Sequence, residues 1–136
     1  MDNNESRQII EARRKFQIEL KWTDRKTQIP LIGYVDFESY IWDTDFICDF
    51  KTTSNADPDV FHRDIFKFDY ILQCGCYREG YKRLKYRFPT TLFIAVETVE
   101  PFNVSVNYCD SKFNKRAEEE FIGSLTAFRY CMDNIS

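Results

Sequence analysis

The chain has 136 residues, 43% of them hydrophobic and 17% aromatic, which fits one domain with a real core rather than several domains. Its net charge of −3 leaves a nucleic-acid face open only as a local patch, because such a face is not a global property. No run of about 18 apolar residues is present to span a membrane, and the acidic, polar start Met1-Asp-Asn-Asn-Glu5 is unlike a secretory signal.

The period of the apolar residues predicts the elements in turn. Residues 4–16 read as a helix with Asn4 as its cap and Ile9, Ile10 and Phe16 as its apolar side. From Gln17 to Trp22 the pattern alternates, with Ile18, Leu20 and Trp22 on one side, as in a strand. Thr23 to Lys26 is a turn. Ile29–Glu38 and Asp45–Thr52 read as two further strands, joined by a turn at Trp42-Asp43-Thr44. Ser54 to Asp59 is a loop. From His62 to Tyr81 the period is helical, with Phe66, Tyr70, Gln73, Tyr77 and Tyr81 along one face. Pro89 breaks the chain before a strand over 90–96, a turn at Glu100-Pro101 and a strand over 103–108. A last helix over 111–133 has Phe113, Ala117, Phe121, Leu125, Phe128 and Met132 as its buried stripe. The order αβββαββα, without repeat or boundary, predicts a mixed α/β (α+β) single domain over residues 1–136 around one sheet.

The five cysteines, Cys48, Cys74, Cys76, Cys109 and Cys131, sit in apolar stretches as reduced, buried thiols of a cytoplasmic protein do. Cys74-Gly-Cys76 lacks the two-residue gap and second pair of a zinc or iron–sulfur site.

Chemistry points to the second and third predicted strands. If Asp36 pairs across from Asp49, the midpoint falls between Trp42 and Asp43, where the turn is predicted. Opposite residues hold their Cβ atoms roughly 4.5–5.5 Å apart on one face, so two carboxylates would reach one cation. Lys51, two residues past Asp49, shares that face. Two acids and an ammonium suit phosphodiester hydrolysis, in which a metal acidifies a water and a lysine stabilises charge on the phosphoryl oxygens. The alternative is a surface ion-pair ladder. Against it stand the flanks, Leu-Ile-Gly-Tyr-Val-Asp36-Phe and Phe-Ile-Cys-Asp49-Phe-Lys51, because charge in such apolar strands is costly without a partner.

Gly33-Tyr-Val-Asp36, Asp49-Phe-Lys51-Thr-Thr and Gln73-Cys-Gly-Cys-Tyr77, in this order, resemble the motifs of the PD-(D/E)XK nuclease superfamily. The nearest likeness is to its RecB-like and RecE-like (exonuclease VIII type) branches, including phage recombination exonucleases. The resemblance covers about residues 17–130 and implies a restriction-endonuclease-like fold. It implies Asp36, Asp49 and Lys51 as catalytic residues, and a Mg2+ site, open to Mn2+, formed by Asp36, Asp49 and the Phe50 backbone carbonyl. Gln73 and Tyr77 would hold DNA or the lysine.

One family feature is missing. These branches usually carry an acid or histidine on a helix before the first strand. Here only Glu5 and Glu11 lie on the first helix and His62, the single histidine, follows the D-x-K motif. Glu19 or Glu11 is left as the candidate third ligand, and the chain reads as a minimal or N-terminally truncated member, or one of reduced activity. Arg78, Lys82 and Arg83, with Lys85 and Arg87, form one basic group for phosphates, and Arg13, Arg14 and Lys15 a second.

The resemblance thus implies a Mg2+-dependent exonuclease on linear double-stranded DNA in the cytoplasm of a bacterial host. Its implied partners are DNA, further copies of the chain in a ring, and a single-strand annealing protein, with no membrane. The alternatives are a structure- or site-specific endonuclease on the same fold and a catalytically weak DNA- or partner-binding module.

Overall fold

The computed structural model describes residues 3–65 and 67–135. Along them run α1 (Asn4–Glu11), β1 (Arg13–Thr23), β2 (Pro30–Ile41), β3 (Thr44–Thr53), α2 (Pro58–Asp64), α3 (Phe68–Lys85), β4 (Thr90–Glu97), β5 (Val104–Tyr108) and α4 (Ser111–Asp133). The strands form one sheet in the order β1-β2-β3-β4-β5. Only β3 and β4 are parallel, and α2 and α3 make the long crossover that such a pair needs. None of the described helices is long and apolar enough to cross a membrane.

Each face of the sheet has its own core. On one side Ile9 of α1 packs with Phe37, Phe46, Cys48, Leu92 and Ile94. On the other, α2, α3 and α4 bring Phe61, Ile71, Cys74, Phe113 and Ala117 against Phe93 and Ala95. Beside them Tyr77 and Tyr81 of α3 cover Ile18, Leu20, Val35 and Ile47.

The mixed α/β class is as expected, with differences in its elements. The first helix ends at Glu11 instead of 16, and its cap is Asn3, whose side chain accepts the Ser6 N–H at 2.8 Å. Residues 13–16 extend β1, with Arg13 opposite Ser39 and Phe16 opposite Phe37. Pairing with β2 satisfies their backbone groups, so tertiary structure overrides local preference, and Arg13, Arg14 and Lys15 guard an edge strand. The long helix expected from His62 is two helices, and α2 opens at Asp57-Pro58, with Asp57 as cap. Phe66, expected on its inner face, lies outside the described residues. On α4 the last residue in an apolar cluster is Leu125, beside Ile29. Phe128 and Met132, expected to continue that stripe, are exposed. Cys131 near the end of the same helix is exposed too, while Cys48, Cys74 and Cys109 are buried free thiols.

The helices α3 and α4 meet at Gly75. A Cβ there would lie 2.3 Å from the Ala117 carbonyl oxygen and 2.7 Å from Phe121 Cβ, and a backbone atom cannot yield as a side chain can. Gly75→Ala should therefore lower stability by about 2–3 kcal/mol. Gly123, with nothing within 4 Å of its built Cβ, should respond oppositely, Gly123→Ala adding about 0.5–1 kcal/mol. Urea unfolding midpoints at unchanged slope are the measurement, and equal effects at the two sites would contradict the close contact.

Candidate active site

The β2–β3 turn sets the register of the site. Trp42 and Asp43 both have φ near 54°, the geometry of a two-residue type I′ hairpin, and Ile41 pairs with Thr44. The ladder runs back to Phe37 opposite Cys48. One step further sets Asp36 opposite Asp49. There the backbone pairing stops, and Asp36 Oδ2 accepts the Phe50 N–H at 2.8 Å. A side-chain carboxylate has replaced a main-chain carbonyl.

The strand β2 also turns over at this point. Residues i and i+2 of a regular strand share a face. Val35 nevertheless packs with Tyr77 and Tyr81, whereas Phe37 packs with Cys48 and Leu92 on the α1 side. The partner strand has a matching irregularity at Gln17, whose φ is 47°, between the pairs Phe16↔Phe37 and Ile18↔Val35. Asp36 thus stands at a crossover, its carboxylate in the seam between β2 and β3.

Asp49 is 5% exposed, and its Oδ2 lies 2.7 Å from Lys51 Nζ. Burial pushes the Asp49 carboxyl up to about 6, with Lys51 opposing the rise and the hydrogen-bonded Asp36 side chain adding to it. Asp49 thus pairs with the ammonium while a second carboxylate, that of Asp36, stands beside it. That donor set fits a divalent cation: hard oxygens, a net negative charge, and one or two carboxylates with room for water, as Mg2+ prefers. The Phe50 carbonyl would face the same seam, because an antiparallel ladder directs the N–H and C=O of one residue to the same neighbour. Among the described residues no three His, Cys, Asp or Glu side chains are arranged to hold a metal. Glu11 and Glu19 therefore do not join the pair: Glu11 is exposed at the end of α1, and Glu19 is exposed on β1, 3.4 Å from the Tyr34 hydroxyl.

Lys51 is held on several sides. Its Nζ donates to Gln73 Oε1 at 2.5 Å and lies 4.7 Å from the centroid of the Tyr70 ring and 5.7 Å from that of Phe93. Gln73 Nε2 donates to the Tyr77 hydroxyl at 3.0 Å, which donates to the Tyr34 carbonyl at 2.6 Å. Burial pushes that hydroxyl up to about 12, so it remains a donor. Gly33 makes the contact possible, since a Cβ there would stand 3.0 Å from the Tyr77 ring.

The basic residues after Tyr77 divide. Arg78 faces α4, donating to Glu118 at 3.0 Å and to the Pro89 carbonyl at 2.8 Å. Arg83 pairs with Glu79 at 2.8 Å, and Lys82 is exposed. A polar network that the motifs did not suggest lies along the same helix. The Tyr81 hydroxyl donates to Glu38, and Arg87 reaches Glu38 at 3.2 Å and both oxygens of Asp45 at 2.6 and 3.0 Å. The available signal was Tyr81 one turn beyond Tyr77, with Glu38 two residues beyond Asp36.

Residues 19–136 match the family described as a PDDEXK-like domain of unknown function (DUF3799). Among solved structures the fold is similar to that of a Eubacterium rectale protein described as a "putative exonuclease", with a TM-score of 0.71 and 11% identity over 98% of this chain and 50% of the other. The chain spans half the length of that protein, and at this identity the likeness is one of fold. No curated protein matches the sequence. The family match takes in β1 from Glu19 onward, the other four strands and the helices α2, α3 and α4, and the chain belongs to this PDDEXK-like family.

Proposed function

We propose that the chain is a divalent-metal-dependent deoxyribonuclease that hydrolyses phosphodiester bonds at the ends of linear double-stranded DNA. The observation that carries this reading is the buried Asp49 carboxylate set between Asp36 and Lys51 in a PDDEXK-like chain. Bound Mg2+, or Mn2+ in its place, would supply Lewis acidity and a water of lowered pKa.

The chain's own residues do the rest. Asp36, Asp49 and the Phe50 carbonyl provide the oxygens for the cation. Lys51 orients the attacking water or stabilises charge that builds on the phosphoryl oxygens. Gln73 and Tyr77 fix the lysine before substrate arrives, so that little ordering remains for the transition state. The preference for ends is supported by the RecE-like order of the motifs and by the description of the structural neighbour. Closed circular DNA discriminates: an end-directed enzyme leaves it intact, and an endonuclease on the same fold nicks it.

The two kinds of charged residue should fail differently. Lys51→Ala should keep metal binding and lose about 10²–10³ in cleavage rate, because an ammonium cannot ligate a cation yet can stabilise charge in the transition state. Asp49→Ala should lose both, having removed a ligand from a site with few. Calorimetric titration with Mn2+ beside digestion of end-labelled duplex separates the roles, and full cleavage by Lys51→Ala would reject the assignment.

Without a cation the carboxylate pair opposes folding. The folded value for Asp49 of about 6 lies above its ordinary 3.8, so the folded chain holds this proton more tightly than the unfolded one. That contribution is complete below 3.8 and is lost as pH rises through about 6. Metal-free protein should lose on the order of 3 kcal/mol from this group between about pH 4 and pH 8. Asp49→Asn should raise the melting temperature at pH 8 in EDTA and change it little at pH 4. Added Mg2+ should raise the wild-type melting temperature at pH 8 far more than that of the variant. Scanning calorimetry reads all three, and a variant less stable than wild type at pH 8 in EDTA would contradict them.

A further inference from the structure

Three phenylalanine rings cross β1, β2 and β3 in one row. Phe16 and Phe37 have centroids 6.4 Å apart, and Phe37 and Phe50 5.3 Å apart. The middle ring is 1% exposed and belongs to the core under α1, but Phe16 is 60% and Phe50 43% exposed. Single exposed apolar residues are ordinary. Two large rings flanking a buried third make a surface, and its ends show what it fits.

At the outer end the row runs into a cation. The Arg13 guanidinium lies 4.9 Å from the centroid of the Phe16 ring and is steadied by a 2.8 Å hydrogen bond to the Ile10 carbonyl. Arg14, 4.6 Å from the centroid of Tyr40, and Lys15 line a cavity with Glu38, Asp45 and Arg87 on the opposite, α3 face of the sheet, so Arg13 is the cation of the row. At the inner end Phe50 sits between Asp49 and Lys51 and gives its N–H to Asp36. The row therefore ends at the seam that holds Asp36. Its rings offer π-faces and no hydrogen-bonding atom, and its outer end offers the Arg13 guanidinium. That combination recognises stacked bases and phosphates without reading sequence. Bases inside a duplex have their faces covered by neighbours, so the row takes only unpaired ones.

We propose that Phe16 and Phe50 are two stacking stations for unpaired bases of single-stranded DNA, with Arg13 on a phosphate between or beside them, so that the strand entering the site is unpaired there. The choice of DNA rests on the nuclease reading above. The chemistry of the row favours a charged, aromatic ligand over the apolar face of another protein.

The test measures binding without cleavage, as anisotropy of fluorescein-labelled oligo(dT) with the full chain in EDTA, beside a blunt duplex of equal length. Wild type should bind oligo(dT) more tightly than the duplex. Phe16→Ala and Phe50→Ala should each weaken oligo(dT) binding about 5- to 100-fold, Phe16→Trp should keep it, and Phe16→Leu should not. Circular dichroism checks that each variant is folded. Equal affinity for the two DNAs, or full affinity in Phe16→Leu, would overturn the proposal. So would a concentration-dependent dimer, seen by sedimentation, that Phe16→Ala abolishes without changing oligo(dT) binding, since the row would then be a contact between copies. The two readings fail separately: oligo(dT) bound as expected but no metal-dependent cleavage rejects only the nuclease, and cleavage with unaltered binding in the phenylalanine variants rejects only the stacking row.

Discussion

The hydrogen bond from the Phe50 N–H to the Asp36 carboxylate stands where a β2 carbonyl would continue the ladder. An N–H bond to a carboxylate is stronger than one to a neutral carbonyl, so the ladder ends there without leaving a strand donor unpaired. The exchange lets β2 leave β3 and continue against β1 alone, where Val35 pairs with Ile18 and Gly33 with Leu20. It also ties Asp36 to the strand that carries Asp49 and Lys51. The seam, the proximity of the acids and the direction of the Phe50 carbonyl all depend on this one bond.

A second consequence is electrostatic. Asp49 is buried with Lys51 as its one close cation among the described residues and Asp36 as a like charge. Such a cluster persists only if the surrounding fold over-determines it. Here α3 does so from both ends. Gln73 and Tyr77 bind Lys51 and the Tyr34 carbonyl, while Tyr81, through Glu38, and Arg87, through Asp45, fasten the other end of the helix to the hairpin. The apolar groups of Tyr77 and Tyr81 pack on Ile18, Leu20 and Val35 in between. Helix register and lysine position are therefore fixed by the same side chains.

Strand and helix periods are visible in the sequence where one face is buried throughout, as over Ile18 to Trp22 and Phe113 to Leu125. The proximity of Asp36 and Asp49 was equally legible, because a two-residue turn leaves a single register and the turn residues lie midway between the acids. What could not be read were the places where an interaction distant in sequence decides. Arg13 to Phe16 look helical until β2 supplies their hydrogen-bond partners. The turnover of β2 at Asp36 breaks the alternation that pattern reading assumes, and no residue type announces it. Phe128 and Met132 continue a helical stripe in period, but the described chain gives them no cluster to join.

That break in pattern is also where the two halves of the functional proposal meet. Local rules in a folded chain tend to fail at sites that serve something other than stability, and three fail within a few ångströms here: a ladder bond made by a side chain, a strand that changes face, and a buried acid beside a like charge. The change of face has a particular effect. Lys51 and Gln73 lie on the α3 side, whereas Phe37 and Phe50 lie on the α1 side, and Asp36 bridges the two. Groups that act on a phosphate thus approach it from one side of the seam, and groups that fit a base approach from the other. A nucleotide has its phosphate and its base on opposite sides of the sugar, so a regular β2, with acid and ring confined to alternate faces, would not bring both to one residue of substrate.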